Sequence, residues 1–164
     1  MLSAVTDADR CSSPWMRAAQ EAAVVVAETA LGLANAVFTP VAPPKSAFVC
    51  AYIPVMIPGG GLQIGVLADP ASSRILAAGL LSGGPEDELS EGDIADAIGE
   101  IANMVAGTAK AARATTSTVV TLGLPLIVHG WVGSNDRTEI ECASASIGGA
   151  TLTIVVLQSR QPLI

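Results

Sequence analysis

Aromatic side chains are almost missing from this sequence. Two Phe, one Tyr and two Trp serve 164 residues. The core must therefore be aliphatic, made of Ala, Val, Ile, Leu and Gly on closely spaced elements. Cations are also scarce: eight Lys and Arg face fifteen Asp and Glu, a net charge of -7. Phosphate backbones are held by clustered Lys and Arg, so nucleic acid is excluded as a partner. His129 is the only histidine. It follows PLIV and reads as a hydrogen-bonded residue at the rim of a strand, which leaves no base for a Ser-His-Asp or Cys-His site. Cys11, Cys50 and Cys142 are odd in number, widely spaced and free of any CxxC pattern. They suggest neither a metal site nor a disulfide framework, and they fit a reducing, cytoplasmic compartment with Cys50 and Cys142 as small core residues.

Long uninterrupted apolar runs are missing too, although 51% of the residues are hydrophobic. Residues 18–38 come nearest, but Arg17, Gln20, Glu21, Glu28 and Asn35 flank or interrupt them. A central carboxylate is costly in lipid, so a buried helix is expected and no membrane partner. Some of the excess hydrophobicity is expected at a subunit interface. The start, MLSAVTDADR, is acidic and carries no secretory signal.

Residues 1–13 read as a flexible tail and 14–164 as a single domain. A long Ala-rich helix is expected over 14–37, starting at Pro14. FTPVAPPK, 38–45, is a loop. Residues 46–57 and 61–68 form a hairpin around PGGG, a turn and not a phosphate loop because no GK[ST] follows. Pro54 inside the first strand argues for an edge or a bulge. Asp69 caps a short helix with Pro70 at its first position, and that helix stops at Gly83 and Gly84. The acidic stretch 83–93 lacks the alternating ligands of a calcium loop and reads as solvated. Ser90 and Asp93 form a capping box for a second long helix, 90–113. Strands over 117–132, 138–146 and 149–159 complete an α+β fold, with two long helices packed on a largely antiparallel sheet.

The second long helix carries the functional signal. At about 100° per residue, Ile94, Ile98, Ile101, Val105 and Ala112 fall within about 60° and form the core stripe. Asp96, Glu100, Asn103, Gly107 and Lys110 fall within about 80° on the opposite side. Two of these are poor choices for a plain solvated face. Glycine in a helix interior costs about 1 kcal/mol against alanine, and asparagine is a weak helix former. A glycine there lets another backbone come close. A carboxylate and a carboxamide one turn apart reach the same small volume. The amide can orient a water through its C=O and NH2, and the carboxylate can pair with a lysine from a partner. Lys110 can meet a partner carboxylate or simply favour its own helix C-terminus.

The run from LADPASSRILAAGLLSGG through LSEGDIADAIGEIANMVAGTAKA resembles the CheC/CheX/FliY family of chemotaxis phosphatases, CheX-type domains most closely. The family signature is Asp or Ser, Glu four residues on, Asn three after that, and a proline about a strand later. Asp96, Glu100 and Asn103 fit it, and Pro125 in LGLPLIVHG takes the place of the proline at a slightly shorter spacing. The resemblance implies a CheC-like fold and dephosphorylation of a phosphorylated CheY-like receiver domain. Asn103 would position the attacking water and Glu100 would pair with the receiver's active-site lysine. Asp96, Gly107 and Lys110 would be partner-binding residues. The chain would hold no metal or cofactor of its own, since Mg²⁺ and the phosphoaspartate belong to the receiver. The same fold could instead serve as a binding module for a receiver or flagellar component, without hydrolysis. AETALG in the first helix echoes EIANMVAG, but Glu28 is followed three residues later by Leu31 and not by Asn. Only the second helix therefore qualifies, and Glu28 is given a structural role. The resemblance also implies a homodimer formed through the sheets, with GATLTIVVLQ, 149–158, expected to pair across the interface. Trp15 and Trp131 read as packing residues.

Overall fold

Alternation of side chains along four long strands places the core. The computed structural model describes residues 12–45, 48–82, 88–130 and 135–160. In chain order the elements are α1 (Pro14–Thr29), β1 (Thr39–Pro40), β2 (Phe48–Ile57), β3 (Gly60–Ala68), α2 (Pro70–Leu81), α3 (Glu91–Arg113), β4 (Thr121–Leu122), β5 (Leu126–Gly130), β6 (Thr138–Ile147) and β7 (Ala150–Ser159). The strands form one antiparallel sheet in the order β1-β6-β7-β3-β2-β4, with β5 also on the outer side of β2. Ala51, Ile53 and Val55 of β2 share a face with Ile64 and Val66 of β3 and Leu152, Ile154 and Val156 of β7. Against them pack Ala19, Ala22, Ala23, Val26 and Ala27 of α1 and Ile98, Ile101, Ala102 and Val105 of α3. Alanines let both helices lie close to the sheet and to each other, so the expected α+β architecture is realised with almost no aromatic in the core.

The opposite face of the sheet holds a smaller cluster: Cys50, Tyr52, Leu67, Cys142 and Val155. Both thiols are free and buried, and burial pushes each up to about 11, so they are poor nucleophiles. Tyr52 is paired across the strands with Gly65, and a Cβ on Gly65 would come within 2.6 Å of the tyrosine ring. The ring lies where that side chain would be. Its hydroxyl is buried and makes no hydrogen bond of regular geometry among the described residues, with only the weakly bonding Cys50 thiol beside it. An unsatisfied buried hydroxyl costs about 1–3 kcal/mol. Tyr52→Phe keeps the ring over Gly65 and should therefore be neutral or stabilising, by up to about 1 kcal/mol. Denaturant unfolding of the two proteins checks this, and a clear loss of stability would show that the hydroxyl has a partner.

Several expectations needed correction. The first helix ends at Thr29, well short of residue 37. Gly32 takes φ +66, and the Leu33 N–H reaches back to the Ala27 carbonyl at 2.8 Å, closing the helix end. Pro54 is not at an edge, and the bulge alternative holds on its outer side: between the Tyr52–Leu126 and Val55–Leu122 pairs, Ile53 and Pro54 stand opposite the three residues 123–125. It lies in β2 opposite Gln63 of β3, at the point where the outer neighbour of β2 changes from β5 to β4. In an antiparallel strand the N–H and C=O of one residue face the same neighbour. The Pro54 carbonyl accepts from the Gly123 N–H at 2.8 Å, so its missing N–H also faces that outer side and β2 loses no bond to β3. The expected strand 117–132 is accordingly two short pieces, β4 and β5, broken at 123–125. β7 is hydrogen-bonded on both sides, to β6 and to β3, and has no free edge with which to pair across an interface. The hairpin from β6 to β7 turns on Gly148 and Gly149 at φ +56 and +85, the mirror-image turn that only glycine enters without strain.

Of the expected tail, residues 1–11 lie outside the described residues. Ser13, its last residue, is anchored: its side chain caps α1 through the Met16 N–H, and its own N–H donates to Glu141 Oε1 at 2.7 Å. Trp15 packs as expected, with Arg113 over its ring at 5.6 Å. Trp131, Gly83, Gly84 and the first half of the acidic stretch 83–93 lie outside the described residues. No helix among the described residues is long and apolar enough to cross a membrane.

Candidate functional site

The site is built on α3, whose start is fixed by local chemistry. The Ser90 hydroxyl accepts from the Asp93 N–H at 3.1 Å, and the Asp93 carboxylate accepts from the Ser90 N–H at 3.0 Å, completing the capping box. The Ser90 hydroxyl also donates to the Asp93 carboxylate at 2.7 Å, and this bond, with that from the Ser90 N–H, holds the Asp93 carboxyl below the usual carboxylate range. Glu91 and Asp93 lie in the first turn and Lys110 and Arg113 in the last, each at the end where the helix dipole favours its charge. Ile94, Ile98, Ile101 and Val105 are buried as the spacing predicts, but Ala112 is exposed. The buried stripe ends at Ala109, because the last turn of α3 extends beyond the core.

Asp96, Glu100 and Asn103 are exposed on the side of α3 away from the sheet, and Gly107 and Lys110 are half-buried. All five predicted residues therefore share one side of one helix. Residues three and four apart on a helix have Cβ atoms about 5–6 Å apart, so Glu100 and Asn103 can address a single atom. Neither side chain has a hydrogen-bond or ion-pair partner among the described residues. Both are free for a partner from outside.

A Cβ added to Gly107 would meet nothing within 4 Å. No contact within the described chain requires glycine there. Gly107→Ala should raise stability by about 0.5–1 kcal/mol, since alanine is the better helix former. If Gly107 admits a partner's backbone, the same change should weaken docking severalfold. Thermal unfolding and a binding titration on the same variant test the two signs together, and equal or tighter binding would remove Gly107 from the docking face.

Two features of the site are not legible from the motif. Gly99, one turn before Asn103, is buried, and a Cβ there would sit 3.1 Å from Ile127 Cδ1 and 4.0 Å from Pro125 Cβ. The missing side chain lets β5 lie tight against the flank of α3. Pro125 thus stands beside the helix next to the Asn103 turn. It occupies the break between β4 and β5, where an absent N–H interrupts no ladder. The available signal was a second glycine in an Ala-rich helix, on its core side.

The other candidates fall away from this site. Glu28 is exposed in the last turn of α1, while Leu31 is buried beyond the helix end. The first helix therefore presents no amide one turn from Glu28, and Glu28 has no partner among the described residues that would give it a structural role. His129 is exposed on β5 opposite Val49, at the rim as expected, but without a hydrogen bond among the described residues. It lines a cleft of about 170 Å³ with Arg74 and Glu91 near the start of α3.

Several solved structures of chemotaxis proteins have a similar fold. A CheX from Desulfovibrio desulfuricans superposes with a TM-score of 0.69 at 17% identity, over 89% of this chain and 100% of that one. A CheC-like superfamily protein from Shewanella gives 0.71 at 16% identity, over 89% and 97%. CheX in the CheX–CheY–BeF3–Mg²⁺ complex of Borrelia burgdorferi gives 0.69 at 16% identity, over 90% and 98%. At these identities the likeness establishes the CheC-like fold. No curated protein matches the sequence. Residues 49–144, more than half of the chain and including all of α3, match the family described as chemotaxis phosphatase CheX. A matching family signature, the matching fold and an acid–amide pair on the free face of α3 lead to one assignment: the chain belongs to the CheX family of chemotaxis phosphatases.

Proposed function

We propose that this chain hydrolyses the phosphoaspartate of a CheY-type receiver domain, using Asn103 and Glu100 of α3. The observation that carries the reading is the exposed, unpartnered Glu100–Asn103 pair, one turn apart on a face with open space at Gly107. That a relative of the same fold has been solved with CheY, BeF3 and Mg²⁺ supports the choice of partner.

In the proposed reaction, α3 lies across the receiver's active site. Glu100 pairs with the receiver's lysine and fixes the register. The Asn103 carboxamide oxygen accepts a hydrogen bond from a water and its NH2 donates one to an oxygen of the phosphoryl group, holding the water in line with the scissile P–O bond. Water attacks phosphorus, the bond to the aspartate oxygen breaks, and inorganic phosphate and a free carboxylate result. Phosphoryl transfer rests mainly on positioning and charge stabilisation, so two side chains from outside can suffice. Mg²⁺, held by the receiver, supplies charge neutralisation, and this chain contributes no metal ligand. Asp96 and Lys110 border the contact.

The chain is also proposed to be a cytoplasmic homodimer. Its two buried thiols are free, which fits a reducing compartment. With β7 interior, dimerisation would use the sheet face carrying Phe48, Val128, Ile140 and Leu157, which are only partly buried. The experiment that tests the function is to phosphorylate candidate receivers, add the chain, and follow phosphate release. Release that scales with the amount of chain supports hydrolysis. Tight binding without faster release would make the chain a receiver-binding module.

A further inference from the structure

The α3 face described above is polar, yet stable protein interfaces centre on a desolvated apolar anchor ringed by polar contacts. Among the described residues, the most exposed large apolar side chain is Leu124, at 86%. It sits in the break between β4 and β5, on a backbone pinned at both sides. Gly123 donates to the Pro54 carbonyl at 2.8 Å and packs on the Pro54 ring, where a Cβ would come within 3.0 Å. Pro125 is seated by Gly99 of α3. Leu126 belongs elsewhere: it is paired with Tyr52 and so faces the other side of the sheet with it.

Gly99 lies one turn before Asn103, on the adjoining side of the helix. Helical side chains lean toward the N-terminus, so Asn103 leans over the turn that contains Gly99 and Glu100. Pro125 is therefore continuous with the Asn103 side of the polar face, and Leu124 is its exposed neighbour in the chain. Resting on the function proposed above, we infer that Leu124 is the apolar anchor of the docking surface and covers an apolar patch of the receiver beside its phosphoaspartate. Held on a fixed bend, it needs little ordering on binding. Its role is in docking and not in the chemical step.

The test measures binding of CheY-type receivers loaded with Mg²⁺ and beryllofluoride to the wild-type chain, Leu124→Ser, Leu124→Met and Leu81→Asp. Leu124→Ser should raise Kd about tenfold, the loss expected for an interface anchor. Leu124→Met, still apolar, should stay within about twofold. Leu81, exposed at the far end of α2, should tolerate Asp without effect. In phosphate release, Leu124→Ser should raise KM while leaving kcat at saturating receiver unchanged. Wild-type affinity in Leu124→Ser would overturn the anchor while leaving the phosphatase reading intact. Binding that depends on Leu124 without any hydrolysis would keep the anchor and remove the phosphatase. Failure of the wild-type chain to bind any loaded receiver would overturn both.

Discussion

Asn103→Ala should lower the turnover of phosphorylated receiver by about 100-fold or more while leaving the fold intact, since misplacing a reacting group by about 1 Å already costs about that much. The amide is exposed and makes no hydrogen bond among the described residues, so nothing in the chain depends on it. Alanine is the better helix former, by a few tenths of a kcal/mol or more, so the variant should unfold no earlier than wild type. That combination separates catalysis from stability. The Kd for the receiver should change little, because Glu100 and the rest of the face remain. Steady-state kinetics and thermal unfolding on one preparation check both points. Full activity in Asn103→Ala would remove the water-positioning role.

Glu100→Lys should have the second large effect, and mainly on binding. The wild-type carboxylate is proposed to face a lysine in the receiver's active site. Reversing its charge sets two cations against each other, and a like-charge juxtaposition across an interface costs several kcal/mol. Receiver affinity should fall by about 100-fold or more. Wild-type binding should weaken with added salt, while the residual binding of the variant should weaken less or even gain. Glu100 is exposed on the outer side of α3 with no partner among the described residues, so the charge change should leave the fold unaffected. A titration of the beryllofluoride-loaded receiver at two ionic strengths makes the comparison. Unchanged affinity in the variant would rule out the ion pair.

The motif helix was legible in the sequence because its determinants are local. Ser90 and Asp93 set its start, and the helical period separated the buried isoleucines from Asp96, Glu100 and Asn103. The errors fell where tertiary pairing overrides local pattern. Residues 117–132 look like one strand, but Pro54 in the neighbouring strand leaves no N–H to bond, and the partner breaks opposite it. The apolar run 149–158 reads as an edge for pairing, yet a run apolar on both sides is also what a central strand requires, and β7 is central. In α1, Ala-rich composition concealed the stop at Gly32, because alanine favours helix wherever the chain allows it. The role of Gly99 was invisible, since it depends on β5 lying against α3. Pro125, at an unusual spacing from Asn103 in the sequence, is beside the Asn103 turn in space.

The most direct measurement is the rate constant for phosphoaspartate loss from a labelled CheY-type receiver in Mg²⁺, with the chain in saturating excess, so that binding and product release drop out. The account predicts a single-turnover rate well above the receiver's own hydrolysis rate, and a return to that intrinsic rate when Asn103→Ala replaces the wild-type chain at equal occupancy. A bound receiver that keeps its phosphate for as long as a free one would contradict it.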